Sequence, residues 1–139
     1  MQVEVASAMQ RDAIADLWKR TNLTTSYNDP HADFEFARKS PNSEVLAGLI
    51  DGKIVASVMA GHDGHRGWLY YVAVDPDVQG KGLGAMMVIA GEEWLRAQGI
   101  WKVQLMVRAT NIAVKEFYEH LGYEQSNVMV LQKRIAEGF

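Results

Sequence analysis

Apolar and polar positions alternate over residues 2 to 6, the period-two pattern of a short first strand. The period then changes: Ile14, Leu17, Trp18 and Thr21 keep helical spacing, which predicts an amphipathic helix over about residues 9 to 20, with Trp18 on its core face. The polar stretch from Thr21 ends in Asn28-Asp29-Pro30, a turn signal, and a second short helix is expected around residues 31 to 39. Val45 to Ile50 and Lys53 to Ala60 flank Asp51-Gly52, a two-residue hairpin signal, and the glycine-rich run Gly61 to Gly67 leads into a strand from Trp68 to Val74. Leu83, Met86, Met87, Ala90 and Trp94 then mark one face of a helix that stops near Gly99. A strand over Lys102 to Val107 and a helix marked by Val114, Phe117, Tyr118 and Leu121, ending at Gly122, come next, and Val128 to Gln132 reads as a last strand. The order β-α-α-β-β-β-α-β-α-β is an α/β mixture with a hairpin-rich first half, read as one domain over residues 1–139.

Composition narrows the chemistry. A hydrophobic content of 48% and a charged content of 22% are those of an ordinary globular chain, and a net charge of −3 without a Lys/Arg cluster argues against a nucleic-acid partner. The absence of cysteine excludes a disulfide framework, a cysteine metal site and an acyl-enzyme on sulfur. No metal is expected. Met1-Gln-Val-Glu-Val lacks a basic region followed by an apolar stretch, and no run approaches the ~18 apolar residues of a membrane span, so a cytoplasmic protein without a membrane partner is expected.

The most informative segment is Val72-Ala-Val-Asp-Pro-Asp-Val-Gln79-Gly80-Lys81-Gly82-Leu83-Gly84-Ala85, which joins an apolar strand to an amphipathic helix through a glycine-rich turn. Backbone N–H groups are left free where a chain enters a helix, and the positive end of the helix dipole points the same way, so an anionic phosphate can rest there. The Walker pattern is absent, because Lys81 lies between two glycines and no Ser or Thr follows it. Gly80, Gly82 and Ala85 satisfy the dinucleotide pattern G-x-G-x-x-G/A, but they sit past mid-chain, no acidic residue ends the next strand, and too little chain remains for a dinucleotide fold.

Gln79-x-x-Gly82-x-Gly84 resembles the Q/R-x-x-G-x-G/A signature of the GNAT superfamily of acetyl-CoA-dependent N-acetyltransferases. Asn111-Ile-Ala-Val-Lys-Glu-Phe-Tyr118-Glu-His-Leu-Gly122-Tyr123 resembles that family's later motif, N-x6-Y-x3-G-[FY]. The two matches span residues 72 to 123 and agree in order and spacing. The resemblance implies a twisted mixed sheet flanked by helices and splayed between its fourth and fifth strands, with acetyl-CoA in the splay. It also implies pyrophosphate on the turn formed by Gln79, Gly80, Lys81, Gly82, Leu83, Gly84 and Ala85, and a pantetheine arm running along Val72, Ala73 and Val74 like an added strand. A backbone N–H near Val74 would hold the thioester carbonyl.

By the same resemblance Asn111 hydrogen-bonds the pantetheine, although its place also suits a helix N-cap. Tyr118 matches the general acid that protonates the departing thiolate, although it lies on or beside an apolar helical face where tyrosine commonly packs. Acceptor selection falls by analogy to the first helices, their loop and the hairpins, so Tyr27, Asn28, Asp29 and Tyr70 are candidate substrate contacts. Lys81 has no role beyond the turn.

The general base is where the chain departs from a related pattern. Enzymes that acetylate the N-terminus of a ribosomal protein place a Glu two residues before the position of Arg108; here that residue is Met106, which takes no proton. His62 and His65 are alternatives, though both lie in what reads as a polar loop. An α-amine of pKa about 8 is roughly one-tenth neutral at pH 7, whereas a lysine amine near 10.4 is almost wholly charged, so only the second strongly needs a base. The expected activity is direct acetyl transfer to a primary amine in a ternary complex. A peptide N-terminal acetyltransferase and a catalytically silent acyl-CoA-binding module are the rivals; the acceptor is a small-molecule or peptide amine, and a homodimer is compatible with the chain.

Overall fold

The computed structural model of the protein describes residues 1–138. Strand β1 is Gln2–Val5, followed by a short 3-10 turn at Ala8–Gln10, helix α1 at Arg11–Arg20 and helix α2 at Pro30–Lys39. Strands β2 (Ser43–Ile50), β3 (Lys53–His62) and β4 (Gly67–Val74) come next, then a 3-10 turn at Pro76–Val78, helix α3 (Leu83–Ala97), strand β5 (Val103–Gln104) and helix α4 (Ile112–His120). Residues 1–105 form one compact unit and residues 106–138 another.

In the first unit the sheet runs β1-β2-β3-β4-β5, antiparallel through β4 and parallel between β4 and β5. Asp51 and Gly52 take φ of 51° and 77°, the left-handed pair that a two-residue hairpin needs to match strand twist. The parallel pairing of β4 with β5 covers only Gly67↔Val103 and Trp68↔Gln104. Beyond Trp68 the β4 edge therefore carries no β5 partner, in keeping with the splay that the family resemblance implies. β5 is two residues long where a strand over Lys102 to Val107 is expected: the ladder to β4 pairs only Val103 and Gln104.

Helices α1 and α2 cover one face of the sheet. Ile14, Leu17, Trp18, Phe34 and Ala37 bury against Val45, Ala47 and Ala73, confirming Trp18 as core. Helix α3 buries Leu83, Met87, Val88, Gly91 and Leu95. This face is rotated from the predicted one: Met86 is exposed, and Ala90 and Trp94 are only half-buried. Gly91 is the reason, since a Cβ there would stand 2.7 Å from Leu69 Cδ2 and 3.3 Å from Val58 Cγ2, so the residue without a side chain brings the helix down onto β3 and β4.

In the second unit, Asn111 caps α4, its Oδ1 accepting from the Val114 N–H at 3.3 Å. Leu121 and Gly122 close it, their N–H groups donating to Tyr118 C=O and Glu119 C=O. The predicted last strand over Val128 to Gln132 is absent: these residues are exposed and belong to no ladder. β-branched residues favour extended backbone, but a strand exists only where a neighbouring strand supplies the hydrogen bonds.

Candidate active site

The glycine turn is built by backbone conformation. Gly80 and Gly82 take φ of 82° and 75°, values that L side chains rarely adopt, and nothing lies within 4 Å of a Cβ placed on either. Gly82 is the N-cap of α3, and the first bond into the helix is from Met86 N–H to Gly82 C=O at 3.2 Å. The N–H groups of Leu83, Gly84 and Ala85 thus lie in the first turn, with no carbonyl four residues back within the helix to receive them. An open surface, left-handed glycines and a free helix N-terminus suit a pyrophosphate. Gln79 ties this turn to the strand, its Nε2 donating to Val74 C=O at 3.3 Å.

Asp75 anchors the same junction from below. It is 2% exposed, accepts from the Asp77 N–H at 2.9 Å and pairs with Arg20 at 3.1 Å, so α1 is clamped to the point where β4 turns toward α3. The Asp77 N–H, and then the Arg20 guanidinium, hold its carboxyl below the usual carboxylate range against the opposing effect of burial.

The middle of β4 is irregular. Met59 pairs with Tyr70 and Ser57 with Ala73, so Tyr71 and Val72 together oppose the single residue Val58. This is a β-bulge. Tyr71 has φ of 51°, a left-handed conformation that costs a bulky residue on the order of 1–3 kcal/mol. Its surroundings hold it there. The fully buried Ser57 hydroxyl donates to Tyr71 C=O at 2.9 Å and accepts from Trp18 Nε1 at 2.8 Å. The Tyr71 ring stacks on Trp18 with centroids 3.9 Å apart and planes 10° apart, and its hydroxyl donates to Asp33 at 2.7 Å. Burial and the Asp33 carboxylate push the Tyr71 phenol well up, so it keeps its proton. None of Ser57, Asp33 and Tyr71's backbone geometry is signalled by the sequence, since the residues come together only in the fold; the run Trp68-Leu-Tyr-Tyr-Val reads as an uninterrupted strand.

Of the predicted acceptor contacts, Asp29 is occupied as the N-cap of α2, its Oδ1 accepting from the His31 N–H at 2.9 Å and the Ala32 N–H at 3.4 Å. Asn28 donates its N–H to Thr25 C=O at 3.2 Å, and Tyr27 is largely exposed. Tyr70 stands on the other side of the bulge, partly exposed, beside Trp68 in an open pocket that Asn42, His62 and Asp63 also line. His62 accepts from Gly64 N–H at Nδ1, and the His65 N–H donates to Asp63, as residues of a polar reverse loop do.

In the second unit Tyr118 is half-buried, edge-on to Phe117 at 5.0 Å and to Tyr123 at 5.6 Å. Burial pushes its phenol up to about 12, so it is a proton donor throughout the neutral range. Both the packing and the acid readings of the sequence are thus compatible with its place. Met106 is exposed.

Residues 11–123 match the model of the acetyltransferase (GNAT) family. An acetyltransferase of Pectobacterium atrosepticum is 38% identical over 137 residues, which is 99% of this chain and 97% of that protein. The solved structure of AAC(6')-Iy with the bisubstrate analog CoA-S-monomethyl-acetylneamine superposes with a TM-score of 0.81 at 17% identity, covering 96% of this chain and 97% of that one. The ribosomal-protein-S18-alanine N-acetyltransferase of Escherichia coli gives a TM-score of 0.77 at 22% identity over 91% of this chain and 79% of its own.

Proposed function

We propose that this chain, which belongs to the acetyltransferase (GNAT) family, transfers the acetyl group of acetyl-CoA directly to the primary amine of a small molecule while both substrates are bound. The observation that carries the reading is the open turn at Gly80 and Gly82, where left-handed glycines and the first-turn N–H groups of α3 form a seat for the CoA pyrophosphate. The uncovered β4 edge from residue 69 to Val74 supports the pantetheine assignment, since the two pantetheine amides complement an unpaired strand edge. Asn111 is assigned to the pantetheine by its place in the motif alone; its Oδ1 serves the helix cap, which leaves the Nδ2 donor for that role.

When bound, acetyl-CoA supplies an activated acyl group on sulfur. The amine lone pair forms the C–N bond, the C–S bond breaks, and one proton must pass from nitrogen to sulfur. The thioester oxygen needs donors fixed in advance, and a backbone N–H of β4 between the bulge and Val74 meets that need because the Trp18–Ser57–Tyr71 bonds hold the strand there. Tyr118 is assigned the proton for sulfur on its place in the motif and on its retained hydrogen. The amine proton is assigned to water near β4, because Met106 accepts none and the His62 ring already accepts the Gly64 N–H at Nδ1. Without cysteine, no acyl-enzyme on sulfur can intervene. The bisubstrate analog accepted by the AAC(6')-Iy neighbour supports transfer within one complex. A cytoplasmic location goes with this reading.

The test is release of free CoA thiol from acetyl-CoA by the purified protein against panels of small amines and peptides, with the product identified by mass. Acetylated small amines are the expected result. Acetylation of peptide N-termini alone would replace the acceptor class, and acetyl-CoA binding without turnover on either panel would make the chain a binding module.

A further inference from the structure

The bulge divides the aromatic residues of β4 into two groups. Tyr71 is partly buried and packs against the core that α1 and α2 help form, while Trp68 and Tyr70 on the same strand line the open pocket, which has a volume of about 360 Å³. Their rings lie 6.4 Å apart at an interplanar angle of 21°, so they present a continuous aromatic wall. At its edge, one residue past β3, stands Asp63. Its Oδ1 accepts from the His65 N–H at 2.9 Å and the Arg66 N–H at 2.8 Å, which fixes the carboxylate in place. These backbone donors, Arg66 first, keep the carboxyl below its ordinary range, and the Trp68 indole adds to this; burial, and after it the Asp63 charge, raises the Tyr70 phenol.

The arginine three residues on makes other contacts. The Arg66 guanidinium sits over the Trp101 ring at 4.7 Å, and among the described residues no cationic side chain pairs with Asp63. An ionised carboxylate beside the exposed Tyr70 ring and the half-buried Trp68 ring is the chemistry that attracts an ammonium ion, through charge on one side and ring quadrupoles on the other.

We infer that the pocket formed by Asp63, Trp68 and Tyr70 binds a second cationic group of the acceptor, so that the substrate is a compound carrying at least two amines. This deepens the acetyltransferase reading and rests on it for the position of the reacting amine. Tyr70 and Trp68 stand on the same strand as the segment assigned to the thioester, so a diamine reaching along β4 can place one ammonium in the pocket and its other amine at the reaction site. A monoamine of the same length would fill the reaction site and leave Asp63 without its partner.

Two measurements separate this inference from the reaction itself. The first uses no acetyl transfer: tetramethylammonium is titrated into the protein while the Trp68 indole N–H resonance is followed. A saturable shift is expected in the wild type, weakened about tenfold in Asp63→Asn, a substitution that keeps the oxygen accepting from the His65 and Arg66 N–H groups and removes only the charge. No shift, or an equal affinity in the variant, overturns the site. The second compares kcat/KM for hexamethylenediamine and n-hexylamine, which differ by one ammonium group. The diamine should be preferred at least about tenfold, and Asp63→Asn should collapse that ratio toward unity; a ratio near unity in the wild type, or one unchanged in the variant, also overturns it. Cation binding without turnover of any amine would instead leave the site standing and refute the acetyltransferase reading.

Discussion

Ser57→Ala removes one oxygen atom from the protein and disturbs the best-buried polar contact in the sheet. Ser57 and Trp18 are both fully buried, and the serine hydroxyl accepts from the indole N–H at 2.8 Å and donates to Tyr71 C=O at 2.9 Å. Alanine fills nearly the same volume, so the cavity contribution is small. What remains is a buried indole N–H without its acceptor, about 1–3 kcal/mol, and the loss of the bond to the Tyr71 carbonyl, about 1 kcal/mol. The variant should therefore lose about 2–4 kcal/mol. For a chain of this length, where unfolding entropy makes each kcal/mol about 3–4 °C, that is a fall in Tm of about 6–16 °C, read by calorimetry or circular dichroism. Trp18→Phe in the Ser57→Ala background should cost less than in the wild type, because it removes the orphaned donor, giving a coupling of about 1 kcal/mol or more. Since the same serine holds the left-handed Tyr71, kcat/KM should fall as well as Tm. A loss of stability below about 0.5 kcal/mol, or strict additivity with Trp18→Phe, would refute the claim that this hydroxyl clamps the bulge.

Tyr118→Phe keeps the ring and its edge contacts with Phe117 and Tyr123, so Tm should change little, while kcat should drop about ten- to a thousandfold in assays where chemistry limits the rate; an unchanged kcat would leave Tyr118 as a packing residue. Asp75 has a folded pKa below that of the unfolded chain, so its contribution to stability is complete above about pH 4 and is lost as the pH falls through the lower folded value. Asp75→Asn should accordingly lower the urea midpoint near neutral pH, and its difference from the wild type should shrink at about pH 2; a difference independent of pH would show that the carboxylate's charge plays no part.

The elements legible in the sequence are those fixed by local chemistry. Asp51-Gly52 takes the two left-handed conformations that its residue types favour, Asn111 caps α4 as an Asn before an apolar periodic run should, and Gly80 and Gly82 open α3. What was not legible depends on partners distant in the chain. Trp18 and Ser57 are 39 residues apart, and nothing in either neighbourhood foretells their bond. A tyrosine does not announce a positive φ, so the bulge at Tyr71 was hidden inside an even strand pattern. Periodicity counts apolar side chains, so it could not place Gly91 at the centre of the α3 contact. Val128 to Gln132 shows the converse: extended propensity without a ladder. Of the proposed acceptor residues, Asp29 was explained by its own helix, whereas Tyr70 acquired its interest only once Asp63 and Trp68 stood beside it.

Calorimetric titration of acetyl-CoA into the wild type, Gly82→Ala and Gly82→Asp tests the central claim most directly. Both substitutions impose the same left-handed φ on a residue with a Cβ, but only Asp sets a carboxylate against the pyrophosphate. With the fold of all three verified by circular dichroism, the account predicts binding in the wild type, weakened binding in Gly82→Ala and none detectable in Gly82→Asp. Undiminished affinity in a folded Gly82→Asp protein would contradict it, and place the cofactor away from this turn.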